Sequence, residues 1–211
     1  MNRPKDFPFL IGIHGRAHTG KDTVASYLEH EKSNFWIESF AAPLKAAASA
    51  AFGIPLEHFS SPATKEVKDP YWQVSPRQIA QFLGTECFRE QLSKLILAVG
   101  NDFWIQRMHG RLIGEIDYEY PTYSAYDTVV IPDVRFQNEY DYIISKGGII
   151  IHLTRKAIPD TVGIPGHQSE QPINLHYKER TYRCENNGTY LELYESIDSI
   201  LSSLPSPSPS L

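Results

Sequence analysis

The chain has 211 residues, 41% of them hydrophobic, enough for one sizeable α/β core with small insertions. Its net charge of −5 argues against general binding to nucleic-acid phosphates, although a local cluster of Lys and Arg can still hold one nucleotide. Cys87 and Cys184 are too few for a disulfide framework and form no CxxC pair, so a reduced, cytoplasmic setting is expected. No apolar run approaches the roughly 20 residues that span a bilayer, and the polar stretch Met1 to Asp6 carries no signal pattern.

Phe7 to Ile13 is a short apolar run that predicts a buried strand. It leads through a small-residue loop into a helix over Lys21 to Glu29. Phe35 to Phe40 is a second strand candidate, and Ala-rich Pro43 to Phe52 a second helix with Pro at its start. Gly53 and Pro55 end it. Pro55 to Ser75 is polar, aromatic and irregular. Pro76 opens a long helix, with Ile79, Phe82, Leu83, Phe88, Leu92, Leu95 and Ile96 expected inward. Gln78, Gln81, Thr85 and Arg89 form a polar stripe on its other side.

Asp102 to Ile116 predicts a further helix, capped by Asp102. Thr128 to Pro132 is a strand ending at Asp133. Asn138 to Ser145 is helical, with Asn138 and Glu139 as its caps, and Ile149 to Leu153 is the next strand. Ala157 to His176, rich in Pro and Gly, reads as a loop or lid. Thr181 to Cys184 is a last strand. Thr189 to Leu204 is a last helix, with Leu191, Leu193, Tyr194, Ile197, Ile200 and Leu201 inward. The alternation implies a parallel sheet covered on both faces, with ligands at the carboxyl ends of the strands. The Ser/Pro tail from Pro205 to Leu211 cannot join a core.

Gly15-Arg16-Ala17-His18-Thr19-Gly20-Lys21 fits G-x-x-x-x-G-K between a strand and a helix. Glycines let several backbone N–H groups converge on one anion, and the following helix adds its positive end. Gly15, Ala17, Gly20, Lys21, Asp22 and Thr23 are therefore the candidate ATP-phosphate contacts, with Lys21 as the mobile point charge. Asp22 stands where Ser or Thr normally meets Mg²⁺. It either binds Mg²⁺ directly or through water, acts as a base near the acceptor, or simply caps the helix.

Asp133 follows a strand, where such proteins place a magnesium-linked carboxylate, and Arg135 follows it with a planar fork for phosphate. A surface Asp–Arg pair is the plain alternative. Arg155 opens the lid-like segment. Lys45 could meet an acceptor phosphate, Arg89 could hold a monophosphate, and the Gln78 and Gln81 amides could read a base edge. The eight histidines show no metal-ligand spacing. Trp72 and Trp104 read as packing residues.

Taken in order, these motifs combine with Phe40-Ala41-Ala42-Pro43-Leu44-Lys45 and Leu83-Gly84-Thr85-Glu86-Cys87-Phe88-Arg89. Ile131-Pro132-Asp133-Val134-Arg135-Phe136-Gln137-Asn138-Glu139, His167-Gln168-Ser169-Glu170 and Asn186-Asn187-Gly188-Thr189 complete the set. From about Leu10 to Leu201 the set resembles the bacteriophage-type deoxynucleoside monophosphate kinases. The resemblance implies a three-layer P-loop α/β fold. It divides the chain into a core (residues 1–53 and 117–205), a helical monophosphate-binding insertion (54–116), a lid (155–177) and a disordered tail (206–211). It implies Mg²⁺ and ATP, and phosphoryl transfer to a dNMP. Lys21, Asp22, Arg135 and Arg155 would be catalytic, and Asp22 and Asp133 linked to the metal. Asn187 and Gly188 would lie on the ATP side, where such kinases place the adenine. Lys45, Arg77, Gln78, Gln81, Thr85, Arg89 and Asp133 would lie on the acceptor side. No nucleic-acid or membrane partner is expected, and a homodimer is left open. The rival readings are a kinase of dephospho-coenzyme A or phosphomevalonate, and a nucleotide-binding module without turnover.

Overall fold

A computed structural model describes residues 6–116, 122–156, 173–176 and 180–204. The tail (206–211), His167 to Glu170 and most of the expected lid lie outside the described residues. Five parallel strands form one sheet: β1 (Phe9–His14), β2 (Phe35–Ile37), β3 (Thr128–Val134), β4 (Ile149–Thr154) and β5 (Thr181–Glu185). Their order is β2-β3-β1-β4-β5, so β1 lies at the centre and every strand ends on the same edge. Among the described residues, no helix is long and apolar enough to cross a membrane.

The strand pattern explains the layers. Ile11, Ile13, Ile151 and Leu153 are buried with Val24, Ala25 and Leu28 of α1 (Lys21–Glu31) and with Leu193 and Ile197 of α7 (Tyr190–Ser202). On the opposite face, Gly12 leaves room for Ile150 and for Ile143 of α6 (Gln137–Ser145). Helices on both faces explain why the central strands are continuously apolar rather than alternating. Leu191, expected inward, is 66% exposed, because the buried stripe of α7 runs through Leu193 and Ile197 instead. β2 is shorter than the Phe35 to Phe40 candidate, ending at Ile37 before polar Glu38 and Ser39.

By compactness the chain divides into two units, Met1–Ser39 with Gly110–Leu211, and Phe40–His109. By this division α2 (Ala42–Phe52) falls in the second unit. The reason is packing: Ala48 of α2 is buried with Ile54, Phe59 and Ile79, and Leu44 of α2 lies against Gly84.

In the second unit, Pro76 does open a long helical stretch. It consists of α3 (Pro76–Phe82), a π-helix (Leu83–Gln91) and α4 (Leu92–Leu95); α5 (Phe103–Leu112) follows, and the unit ends within it at His109. A π-turn closes i→i+5 rather than i→i+4, so residues after it rotate away from a 3.6 period. Beyond it the expected apolar stripe breaks, with Leu95 79% exposed and Ile96 also exposed. Before it Ile79 is buried, but Phe82, the last residue of α3, is already 57% exposed. Thr85 and Arg89, from the polar stripe, are buried in their place. The Trp104 indole, 5% exposed, donates to the Gly84 carbonyl at 3.0 Å. Trp104 is thus a packing residue, as expected. Replacing it by Phe keeps the ring but strips a buried carbonyl of its donor. Trp104→Phe is expected to cost about 1–3 kcal/mol, read as a lower urea midpoint with an unchanged slope.

Candidate active site

The loop between β1 and α1 is built on close approaches. A Cβ at Gly15 would stand 2.5 Å from the Leu153 carbonyl oxygen and 2.8 Å from Thr19 Oγ1. Thr19 is buried and its hydroxyl donates to the Arg16 carbonyl at 2.9 Å, closing the loop on itself. His18 takes a left-handed backbone (φ 63°), as does Gly20 (φ 102°). Alternating right- and left-handed residues turn successive N–H groups toward one concavity. Gly20 caps α1 without a side-chain bond, which leaves the first-turn N–H groups of the helix for a ligand. Lys21 curls over the loop, its ammonium donating to the Gly15 and Arg16 carbonyls at 2.7 Å each.

Asp22 occupies the first turn of α1, exposed, and is not its cap; Gly20 is. Asp133 lies near the end of β3 and accepts a 2.6 Å hydrogen bond from Ser39 Oγ. Arg135 follows, half-buried, with its backbone held by Glu139. That buried carboxylate accepts from the N–H groups of Arg135 (2.8 Å) and Phe136 (3.1 Å). Glu139 does cap α6, accepting from the N–H of the N-cap residue Phe136, whereas Asn138, expected as a cap, lies inside the first turn, its amide oxygen accepting from Glu139 N–H at 3.1 Å. Arg155 is exposed just beyond β4. Asn187 takes the Lys156 N–H on its side-chain oxygen at 2.9 Å, and Gly188 precedes the Thr189 cap of α7. All these groups belong to the first unit, at the carboxyl ends of β1, β3, β4 and β5. In open α/β sheets ligands bind there.

The other set lies in the second unit. Lys45 donates to Ser60 Oγ at 3.2 Å. Arg77 pairs with Glu66. Gln78 is exposed and closes a capping box, its side-chain oxygen accepting from Ser75 N–H at 2.9 Å. Gln81 is half-buried, and Thr85 and Arg89 are buried, with Arg89 Nη1 donating to the Asn101 carbonyl at 3.1 Å.

Three features escape a reading by motif. Ser39 grips Asp133, and Asn186 donates to the Thr19 carbonyl at 2.9 Å. In the third, buried Arg111 pairs with Glu38 at 3.3 Å and lies over the Tyr123 ring, whose hydroxyl donates to the same Glu38 oxygen at 2.6 Å. Burial, then Glu38, holds the Tyr123 phenol well above its ordinary pKa. Each of these contacts joins residues far apart in sequence; only the Asn-Asn-Gly turn gave any local signal.

The last residue of β1 carries a further constraint. His14 Nδ1 lies 3.0 Å from the Val134 carbonyl, and its ring sits 5.2 Å from that of His152, its registered neighbour on β4. Burial lowers the pKa of His14, with Lys21 and Arg135 adding to the effect against the Val134 hydrogen bond. Burial, then His14 and Arg183, lowers His152 from 6.5 to about 4.

The five-stranded parallel sheet, with its G-x-x-x-x-G-K cradle between the central strand and the next helix, defines a P-loop nucleotide-binding protein. Comparison with known proteins agrees. A protein of Acanthamoeba polyphaga mimivirus, provisionally named a deoxynucleotide monophosphate kinase, is 33% identical over 190 residues, covering 89% of this chain and 93% of that protein. The chain belongs to this deoxynucleoside monophosphate kinase family. No family profile matches the chain. Among solved structures, TT1252 from Thermus thermophilus is 16% identical with a TM-score of 0.47, over 95% of this chain and 100% of that one. A gluconokinase from Sinorhizobium meliloti 1021 is 11% identical with a TM-score of 0.43, over 94% and 99%.

A depressed histidine pKa sets a stability window. Above pH 6.5, His152 is neutral folded or unfolded and contributes nothing. As pH falls toward 4, the unfolded chain takes up the proton first and the native state loses stability. The His152→Gln variant is therefore expected to lose less Tm than the wild type between about pH 6.5 and 4.5, followed by scanning calorimetry across that range.

Proposed function

We propose that the protein transfers the γ-phosphoryl group of ATP to a deoxynucleoside monophosphate, giving the diphosphate and ADP. The observation that carries the reading is the cradle at Gly15 to Thr23, with Lys21 bent over it at the head of α1. Kinship with a relative named for this activity supports the choice of acceptor.

Phosphoryl transfer needs positioning and charge stabilisation more than covalent chemistry from the protein. Lys21 and the first-turn N–H groups of α1 hold the donor phosphates. Arg135 and Arg155 offset charge on the moving group. Arg89, with Lys45 and Arg77, holds the acceptor phosphate, and Gln81 and Thr85 line its site. Gln78, committed to the Ser75 cap, serves that site by fixing the start of α3. Asn187 and Gly188 lie on the adenine side.

Among the described residues, no cluster of three His, Cys, Asp or Glu could cage a metal. Mg²⁺ suits a different donor set, one or two carboxylates with water and substrate phosphates. Asp22 and Asp133 fit that set. Mg²⁺ held there, directly or through water, would neutralise charge on the donor oxygens.

A coupled assay of ADP release across dAMP, dGMP, dCMP, dTMP and their ribonucleotide counterparts tests the reading. ADP release is expected to depend on a deoxynucleoside monophosphate. Release unchanged by any monophosphate would contradict it. Dependence on dephospho-coenzyme A or phosphomevalonate instead would identify a kinase of another acceptor. Arg89→Ala is expected to lose about 2–4 kcal/mol in kcat/KM, the scale of one charge-stabilising contact.

A further inference from the structure

Asn186 follows β5 directly, and its backbone N–H continues the sheet ladder to the Thr154 carbonyl at 2.8 Å. The side chain is not needed for that bond, yet it is 7% exposed and committed. Its amide nitrogen donates to the Thr19 carbonyl at 2.9 Å. An acceptor carbonyl requires the NH₂ end of the amide at this contact. The fit is tight: a Cβ on Gly20 would stand 2.5 Å from that nitrogen.

The consequence concerns the peptide joining Thr19 to Gly20. In a trans peptide the C=O and N–H point in opposite directions. Holding the Thr19 oxygen toward Asn186 therefore turns the Gly20 N–H away from it. Among the described residues, none accepts that hydrogen. The next residue acts on a second strand end, because Asn187 holds the Lys156 N–H and so fixes the chain beside Arg155.

We propose that Asn186 is a positioning residue for the donor site: it pins the Thr19–Gly20 peptide so that the Gly20 N–H is presented to the donor phosphates. Without it the peptide is free to rotate, and the cradle loses one pre-set donor while Lys21 and the start of α1 remain. The inference rests on reading the loop as the donor site, but not on which acceptor is phosphorylated.

The test uses inorganic tripolyphosphate as probe, so that neither base nor acceptor enters. Asn186→Leu removes the amide donor without adding charge. It is expected to weaken tripolyphosphate binding by about tenfold and to raise the KM for ATP, leaving the KM for the acceptor unchanged. In the wild type, the Gly20 amide proton is expected to shift downfield as tripolyphosphate is added. This signal tests the Gly20 N–H alone; if Asn186→Leu does not fold, Asn186→Ala, which removes the same donor with less bulk, is read in its place. A loss of less than about threefold in the folded variant, or an unmoved Gly20 amide in the wild type, overturns the proposal. Wild-type protein that binds tripolyphosphate but phosphorylates no deoxynucleoside monophosphate would instead sink the acceptor assignment and leave the role of Asn186 standing.

Discussion

The carboxyl edge of the sheet depends on how closely Gly15 lies against β4. The space between its Cα and the Leu153 carbonyl would not admit even a methyl group. That approach lets the chain leave β1 and fold straight back over the strand ends. It brings Lys21 within reach of the Gly15 and Arg16 carbonyls and sets the start of α1 above the sheet. A side chain at this position would push the loop away from β4, and the concavity lined by backbone N–H groups would open. The same logic of small clearances recurs at Gly12 against Ile150 and Ile143, and at Gly20 against Asn186.

Charge is distributed to match. The chain as a whole is acidic, yet it carries cations at each candidate site: Lys21, Arg135 and Arg155 in the first unit, Lys45, Arg77 and Arg89 in the second. Those that are buried have partners. Arg111 is paired with Glu38, and Arg89 donates to a backbone carbonyl. A buried cation without such partners would carry a desolvation cost of several kcal/mol. Beneath the loop, His14 and His152 are held toward their neutral forms, so the ring pair adds little positive charge below the cradle at neutral pH.

Much of the first unit was legible in sequence because its signals are local. The apolar run of β1, the two glycines of the loop and the helical pattern after Lys21 lie within about twenty residues and agree with one another. The capping role of Glu139 was likewise readable in place. The second unit was harder. A π-turn leaves no mark on hydrophobic spacing, so the stripe through Leu95 and Ile96 pointed to the wrong side. Gln78 looked like a polar recognition residue because a capping glutamine and a base-reading one share the same chemistry. Ser39, Arg111 and Asn186 stayed hidden because each gains its meaning from a partner that only the folded chain supplies: Asp133, Glu38 and Thr19.

The central claim is that the loop from Gly15 to Thr23 holds the phosphates of a triphosphate donor. The most direct measurement is calorimetric titration of adenosine, ADP and ATP, with Mg²⁺ present, into the wild type and Lys21→Ala. The account predicts affinity that rises with phosphate count in the wild type, and a gain from the third phosphate that falls by at least about tenfold in the variant. Equal affinity for adenosine and ATP, or an undiminished gain in Lys21→Ala, would contradict it.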